Sequence, residues 1–490
     1  MSTTILPAAW GPPAERRWWA LAVVVAAQFM FVVDAFVVNV AIPTIRRDLG
    51  ASAGEMEAVL ALYQVAYAAC VITGSRLGDI HGRRRVFVAG VLAFTATSVW
   101  CGLAGSGTEL VVARVAQGAA AALMVPQVLA TIHALFPDAG RGRAFAVFGI
   151  ALGLGGAVGF AAGGWLVTLD LGGLGWRAIF LVNLPVGLAV AAAAWRLMPV
   201  GETRPGMRLD IGGAALLFLA LLCLIGPLLA GHELGWPWWL WLILADGAVL
   251  LWAFLRLERR VQRHGGLPLI DLALLGNRGF VRGLSTAFGF HFGNVSFYLL
   301  MTFFMQNGLG FSPARSGLAV VPLAVAFTWA SHKAGGWVGT YGLRVLLIGC
   351  LIQLLGVAAL LDLSMTTPPP GMAALVLVLP VFGFGQGLVM APLAGFVLGR
   401  VQAGQAGSAA GMLNTTQQGA NAVGIAVVGA VYALGGTPAA LVLLGGSVLA
   451  TGTLLTWTAR APQGNAPQGN APQGNASRGG ASQGGAGGRA

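Results

Sequence analysis

Two side chains in this sequence sit where their chemistry is expensive. Asp34 and Arg114 lie inside apolar runs, residues 18–40 and 109–135, each long enough to cross a bilayer. An ionisable group inside such a run costs about 2.5–3.5 kcal/mol to insert, which marks it as functional by default. Asp34 is six residues from the outer end of its run, ~9 Å deep at the helical rise, and Arg114 is five from the outer end of its own, ~8 Å deep. At nearly equal depth the two can pair if their helices are neighbours. Such a pair has two readings: it locks two helices together, or Asp34 exchanges a proton as its surroundings alternate. An apolar setting favours the neutral carboxyl and a nearby guanidinium the charged one, so small movements can switch it.

Other polar groups have weaker claims. Gln28, Tyr63, Gln64, Tyr67, Gln117, Gln127, Asn294, Gln386, Asn414 and Gln418 fall within apolar runs, where they line a cavity or bridge helices. His291 is a proton relay or a hydrogen-bonded structural residue. Asp246, midway through another run, demands a partner or water, and with His291 it forms a candidate second proton site. Asp79, Gly82, Arg83 and Arg84 follow the second run. The basic residues there set topology, whereas Asp79 suits a conformational latch acting on a helix N-terminus. Gly155, Gly159, Gly163 and Gly164 put three small residues on one helical face, permitting close packing or a sliding surface that seals an inward exit. There is no G-x-x-x-x-G-K-[ST] segment, no metal-ligand cluster and no nucleophile with an evident base. The expectations are no cofactor, no ATP and no enzyme activity, with an ion gradient as the remaining drive. Cys70, Cys101, Cys223 and Cys350 read as buried thiols.

The elements that position these residues are membrane helices. The 490 residues are 57% apolar and only 9% charged, against about 25% charged in soluble domains. Fourteen apolar runs are long enough to span: 18–40, 58–77, 86–104, 109–135, 144–167, 178–197, 211–231, 237–257, 280–304, 316–336, 344–362, 372–398, 408–434 and 439–458. With the N-terminus cytoplasmic, four of the 28 basic residues (Arg46, Arg47, Arg177, Arg315) fall outside and Arg114 falls within a run toward its outer end, leaving 23 on the inside, between runs or toward the inner end of one. The net charge of +12 is therefore a topology signal, and nucleic acid is not an expected partner. Arg16 and Arg17 precede a run too long for a cleaved signal peptide, so it is expected to be a span. The expected division is a cytoplasmic N-terminus (1–17), a six-helix bundle (18–197), two inserted helices with their linkers (198–279), a second six-helix bundle (280–458) and a disordered cytoplasmic tail (459–490) that repeats A-P-Q-G-N three times. A weak internal repeat, Ser75–Arg84 against Gly335–Arg344, fits duplicated halves around a midplane site.

Several segments, in order, carry a family resemblance: Val33–Pro43 ending the first run, Arg76-Leu-Gly-Asp-Ile-His-Gly-Arg-Arg-Arg85 after the second, Arg114-Val-Ala-Gln-Gly118, Gly155-Gly-Ala-Val-Gly-Phe-Ala-Ala-Gly-Gly164, Trp176–Pro185 and Gly411–Gln418. From about Asp34 to about Tyr432 the chain resembles the major facilitator superfamily, specifically its fourteen-span drug/proton antiporters. The resemblance implies an all-α facilitator fold arranged 6 + 2 + 6, with the first and fourth helices adjacent. It also implies a monomer in the plasma membrane that exports a hydrophobic, possibly cationic, compound in exchange for protons. Export of one dedicated natural product, proton-coupled import and a non-transporting sensor on the same scaffold are the other readings. The chain departs from the family pattern at Phe160, where the antiporter segment has Pro, at Ser75 and Ile80 in the loop segment, and at Gln417, where Arg is common. Phe160 is the departure that favours import.

Overall fold

The structure is a computed structural model that describes residues 14–136, 138–200, 203, 209–264, 266, 268–402 and 405–460. The expected tail beyond 460, most of the N-terminal segment and Arg204 and Arg208 of the linker lie outside the described residues.

The chain folds as helices: α1 (Ala14–Leu49), α2 (Ala53–His81), α3 (Arg83–Leu103), α4 (Gly107–Leu135), α5 (Asp138–Leu169), α6 (Ala178–Leu181) with α7 (Asn183–Leu197), α8 (Ile211–Leu234), α9 (Trp238–Arg263), α10 (Arg278–Phe303), α11 (Pro313–Tyr341), α12 (Arg344–Met365), α13 (Met372–Leu398) and α14 (Ala406–Ala459). Thirteen helical stretches among the described residues are long and apolar enough to cross a bilayer. The last of them contains two crossings. Gly436 adopts φ 68°, ψ −165°, a conformation open to glycine, and Pro438 follows it, so α14 breaks between two spans. Fourteen crossings result. In lipid a helix satisfies its own backbone, which is why the apolar runs become helices and not strands.

Two sequence expectations change. The first helix does not stop at Val40 but runs on to Leu49, through Pro43, Arg46 and Arg47. Asp34 is therefore fifteen residues, or ~22 Å, from the end of α1 and near its middle. The overrun is held by polar contacts that hydropathy does not register: Trp176 Nε1 and Arg177 Nη1 donate to Asp48 Oδ2 at 2.8 and 2.7 Å. The segment Arg76–Arg85 is also not a loop. Residues 76–81 complete α2 and Arg83 opens α3, leaving Gly82 alone at φ 91° to make the turn.

α1 packs on α5, α7 and α4, and α2 packs on α4; α10 packs on α14, and α13 on α11 and α12. Two seams join these groups, α5 against α11 and α2 against α14. The inserted helix α8 lies on both α2 and α14, and α9 packs mainly on α8. On the α5–α11 seam, side chains at Gly164 or Gly317 would strike the backbone of Pro313 or Phe160. Toward the basic end, Gly149 of α5 and Gly335, Gly336 and Gly339 of α11 face open space. The glycine contacts between α5 and α11 thus lie toward the outer end of the seam, and the glycines toward its other end make none.

Candidate functional site

Ser106 caps α4, its hydroxyl accepting from the Glu109 N–H at 3.1 Å. Two turns into that helix Arg114 points inward, and Gln117, one turn further on, shares its face. Asp34 of α1 meets both. Arg114 Nη1 reaches Asp34 Oδ2 at 2.6 Å, Gln117 Nε2 donates to Asp34 Oδ1 at 2.9 Å, and Arg114 Nη1 also donates to Gln117 Oε1 at 2.7 Å. Asn183 of α7 adds a third donor to the carboxylate at 3.2 Å and ties it to Ser98 of α3 at 2.9 Å. Asp34 is 0% and Arg114 1% exposed. The guanidinium also donates to the Val59 carbonyl at 3.3 Å and lies 4.0 Å from the centre of the Tyr63 ring.

A carboxylate facing three N–H donors is matched as an acceptor only. A proton added to Asp34 brings an O–H against those donors and cancels the charge that holds Arg114, so the contact must loosen. Burial makes the pair a high-stakes one. Removing a single partner of a buried ion pair costs about 3–5 kcal/mol, because the other charge stays buried and uncompensated.

Asn183 was not singled out in the sequence, although the segment Trp176–Pro185 that carries it resembles the family. Tyr63 and Gln117 belong to the Asp34 network. Tyr67 does not, but its hydroxyl accepts from Asn414 at 3.5 Å and so bridges α2 to α14. Asn294 accepts from Gln386, which accepts from Tyr298 at 2.9 Å, a second polar cluster on α10 and α13. Gln28 and Gln64 are buried, and Gln418 accepts from Asn421 at 3.1 Å on α14. Gln127 donates to the Gly74 carbonyl at 2.9 Å. His291 is buried beside Asn421. Asp246 is exposed on α9, which packs mainly on α8, so the structure does not bring it to His291.

The antiporter-segment glycines divide between two neighbours. A side chain at Gly155, Gly159 or Gly163 would meet Val32, Phe36 or Val37 of α1 at 2.8–2.9 Å, whereas Gly164 abuts Pro313 and Ala314 of α11. α5 is thereby pressed against both the helix bearing Asp34 and the opposite half. Phe160 is buried here, its ring 5.5 Å from Phe36 and 5.2 Å from Tyr298 of α10. Gln306 donates to the Val40 carbonyl at 2.8 Å across the same junction. This closure lies on the outer half of α5.

At the cytoplasmic turn Asp79 meets Arg83 at 3.6 Å, both about a third exposed, a pair worth at most ~1 kcal/mol. Arg83 also donates to the Ala130 carbonyl of α4 at 2.9 Å, and Arg84 lies 4.9 Å over the Trp195 ring of α7. Arg76 donates to the Pro268 carbonyl, tying α2 to the segment after the inserted helices. Among these contacts none joins Asp79 to the opposite half.

The Major Facilitator Superfamily pattern matches residues 24–214 and again 211–425. The chain is 40% identical over 78% of its length to the probable actinorhodin transporter of Streptomyces coelicolor, 36% over 76% to the puromycin resistance protein of Streptomyces alboniger, and 33% over 68% to the multidrug resistance protein Stp of Mycobacterium tuberculosis. Those matches span 66%, 74% and 61% of the relatives' own lengths. Among solved structures, a D-xylose–proton symporter superposes with a TM-score of 0.65 at 16% identity, covering 89% of this chain and 97% of the other. A peptide transporter of the POT type gives 0.66, also at 16%, covering 90% and 94%. The helical architecture, the two matched stretches and these relatives agree: the chain belongs to the Major Facilitator Superfamily of multi-pass membrane transporters.

Proposed function

We propose that this protein exports a hydrophobic drug-like or antibiotic compound across the plasma membrane in exchange for protons, with Asp34 and Arg114 as the coupling pair. The observation that carries the reading is the carboxylate of α1 held by α4 and α7 through an ion pair and two further hydrogen bonds, all buried. Protonation frees α1 from α4 and α7. α1 can then move along the glycine face of α5, and α5 carries Phe160 and Gly164, which close the outer junction with α10 and α11. The proton is taken up from the outer side as compound leaves and is released to the cytoplasm once the outer junction has closed, and rebinding of Asp34 to Arg114 then resets the inward-open form. Compound and proton then compete for one cycle without meeting at one atom. Asp79 with Gly82, Arg83 and Arg84 acts as the cytoplasmic latch, and the buried polar groups of α2, α10 and α14 line the path. Both halves lie in one chain, so a monomer suffices.

The substrate class comes from the relatives, whose names concern actinorhodin, puromycin and multiple drugs. The 40% identity to a probable actinorhodin transporter favours a second, narrower reading, export of one dedicated natural product. Expression in an antibiotic-sensitive host tests both against a panel of apolar and cationic antibiotics. The expected result is a rise of about fourfold or more in tolerance to some members, lost on adding a protonophore, since an ion gradient is the drive. One protected compound selects the narrow reading and several select the broad one. Unchanged tolerance together with increased uptake would establish import.

A further inference from the structure

The inserted helix α8 closes a cavity that the coupling network does not use. It has a volume of about 310 Å³ and lies at the outer ends of α1, α2, α8, α10 and α14. Its lining includes Leu228 and Leu229 of α8 and Phe303 with Tyr432, whose ring centres are 5.1 Å apart. Three carboxylates stand at this end of α2, and two of them are engaged. Glu55 completes the Ser52 capping box at 3.0 Å and accepts from Thr108 at 2.7 Å. Glu233 of α8 accepts from the Gly54 N–H at 3.0 Å. Glu57 is different. It is 7% exposed, lines the cavity, and its carboxylate makes no hydrogen bond or ion pair with a described residue. Gly429 leaves room for it, since any side chain there would strike its carboxylate.

We propose that this cavity is a binding site for an apolar organic monocation, a protonated or quaternary amine on a single-ring body, with Glu57 as its counter-ion. The charged groups facing Glu57 are Glu233 of α8 and Arg46 of α1, with His232 also on the wall. Beside Arg46, a cation that enters as Glu57 gives up its proton supplies the second positive charge that ionised Glu57 and Glu233 call for. Arg46 is partly engaged, its Nε donating to the Ala51 carbonyl at 3.4 Å. A buried carboxylate without a partner is costly, and a bound cation removes that cost. Phe303 and Tyr432 bring aromatic rings to the lining, to which an ammonium is attracted by cation–π interaction. The volume is at the lower end for small-molecule pockets, about 300–1,000 Å³, which limits the occupant to roughly one ring and its amine. A metal ion fits poorly: no group of three metal-ligating side chains occurs among the described residues. Along α2, Glu57 is six residues from the Tyr63 that underlies Arg114, ~9 Å away by helical rise, so this is a second site and not part of the first.

The test is calorimetric binding of benzyltrimethylammonium to the full chain in nanodiscs, with no transport step in the readout. Glu57→Gln is expected to weaken binding at least tenfold, and Ala430→Phe, which fills the cavity from α14, to do the same. Asp34→Asn is expected to leave the affinity within twofold, which separates this site from the coupling pair. In the unaltered protein the neutral isostere neopentylbenzene is expected not to displace the probe, a result independent of how well any variant folds. Equal binding by a monodisperse Glu57→Gln protein, displacement by the neutral isostere, or displacement by calcium at micromolar concentration would each overturn the proposal.

Discussion

Asp34→Asn is expected to yield a folded, membrane-inserted protein whose export against a gradient falls by about 100-fold or more, because the network holds no second carboxyl to take its place. Asparagine keeps the shape and one acceptor oxygen, and Arg114 retains Gln117 and the Val59 carbonyl as partners. The loss of stability should therefore stay below the ~3–5 kcal/mol of an uncompensated buried charge. Arg114→Met should come closer to that cost, since it leaves Asp34, 0% exposed, without its counter-charge and with only Gln117 and Asn183 as donors. The double change Asp34→Leu with Arg114→Met separates the two meanings of the pair. Replacing both charges by apolar groups of similar volume is often neutral for stability. If the pair only locks α1 to α4, the double variant recovers both folding and export. On the proposed mechanism it recovers folding, read by thermal melting in detergent, and export stays at background.

Gly164→Leu is expected to hold the outer side open and reduce transport about tenfold or more. A side chain at this position strikes the backbone of Pro313 and Ala314, which cannot yield by a rotamer change, and overpacking of this kind costs about 1–3 kcal/mol. That cost falls only on the conformation in which α5 and α11 touch, so it shifts the population toward the outward-open state by one to two orders of magnitude. Ser316 is 1% exposed on α11 beside this contact. In a background lacking the four native cysteines, labelling of Ser316→Cys by a membrane-impermeant maleimide from outside should accelerate at least tenfold when Gly164 becomes Leu. Gly149→Leu, at a position with nothing within 4 Å, is expected to leave the labelling rate unchanged. An unchanged rate in Gly164→Leu would show that this junction does not gate the outer side.

The membrane-spanning plan was legible because bilayer thickness imposes a length on apolar runs, and the turn Gly436–Thr437–Pro438 falls between the thirteenth and fourteenth runs. Asp34 and Arg114 stood out because a charge in an apolar run is a strong contrast. Asn183 did not: a neutral amide in a run is common, and its segment also carries the polar-looking Trp176 and Arg177. The overrun of α1 to Leu49 was hidden because Arg46, Arg47 and Asp48 lower hydropathy while their side chains bond to neighbouring backbone and to the turn before α6. Glu57 was missed for a related reason. It stands one residue before the run 58–77 and reads as part of a solvated loop, yet α8 folds over it, and only the tertiary structure shows that burial. The outer closure at Phe160 depends equally on which helices meet, something periodicity within one helix does not encode.

Proton movement driven by an exported compound is the most direct measurement of the central claim. Purified protein in liposomes is given an outward gradient of a compound that the panel shows to be exported, and lumenal pH is followed with a trapped dye. Wild type is expected to move protons opposite to the compound. Asp34→Asn should move none, while still exchanging labelled for unlabelled compound at equal concentrations. Compound-driven proton movement in Asp34→Asn at the wild-type rate would contradict the account.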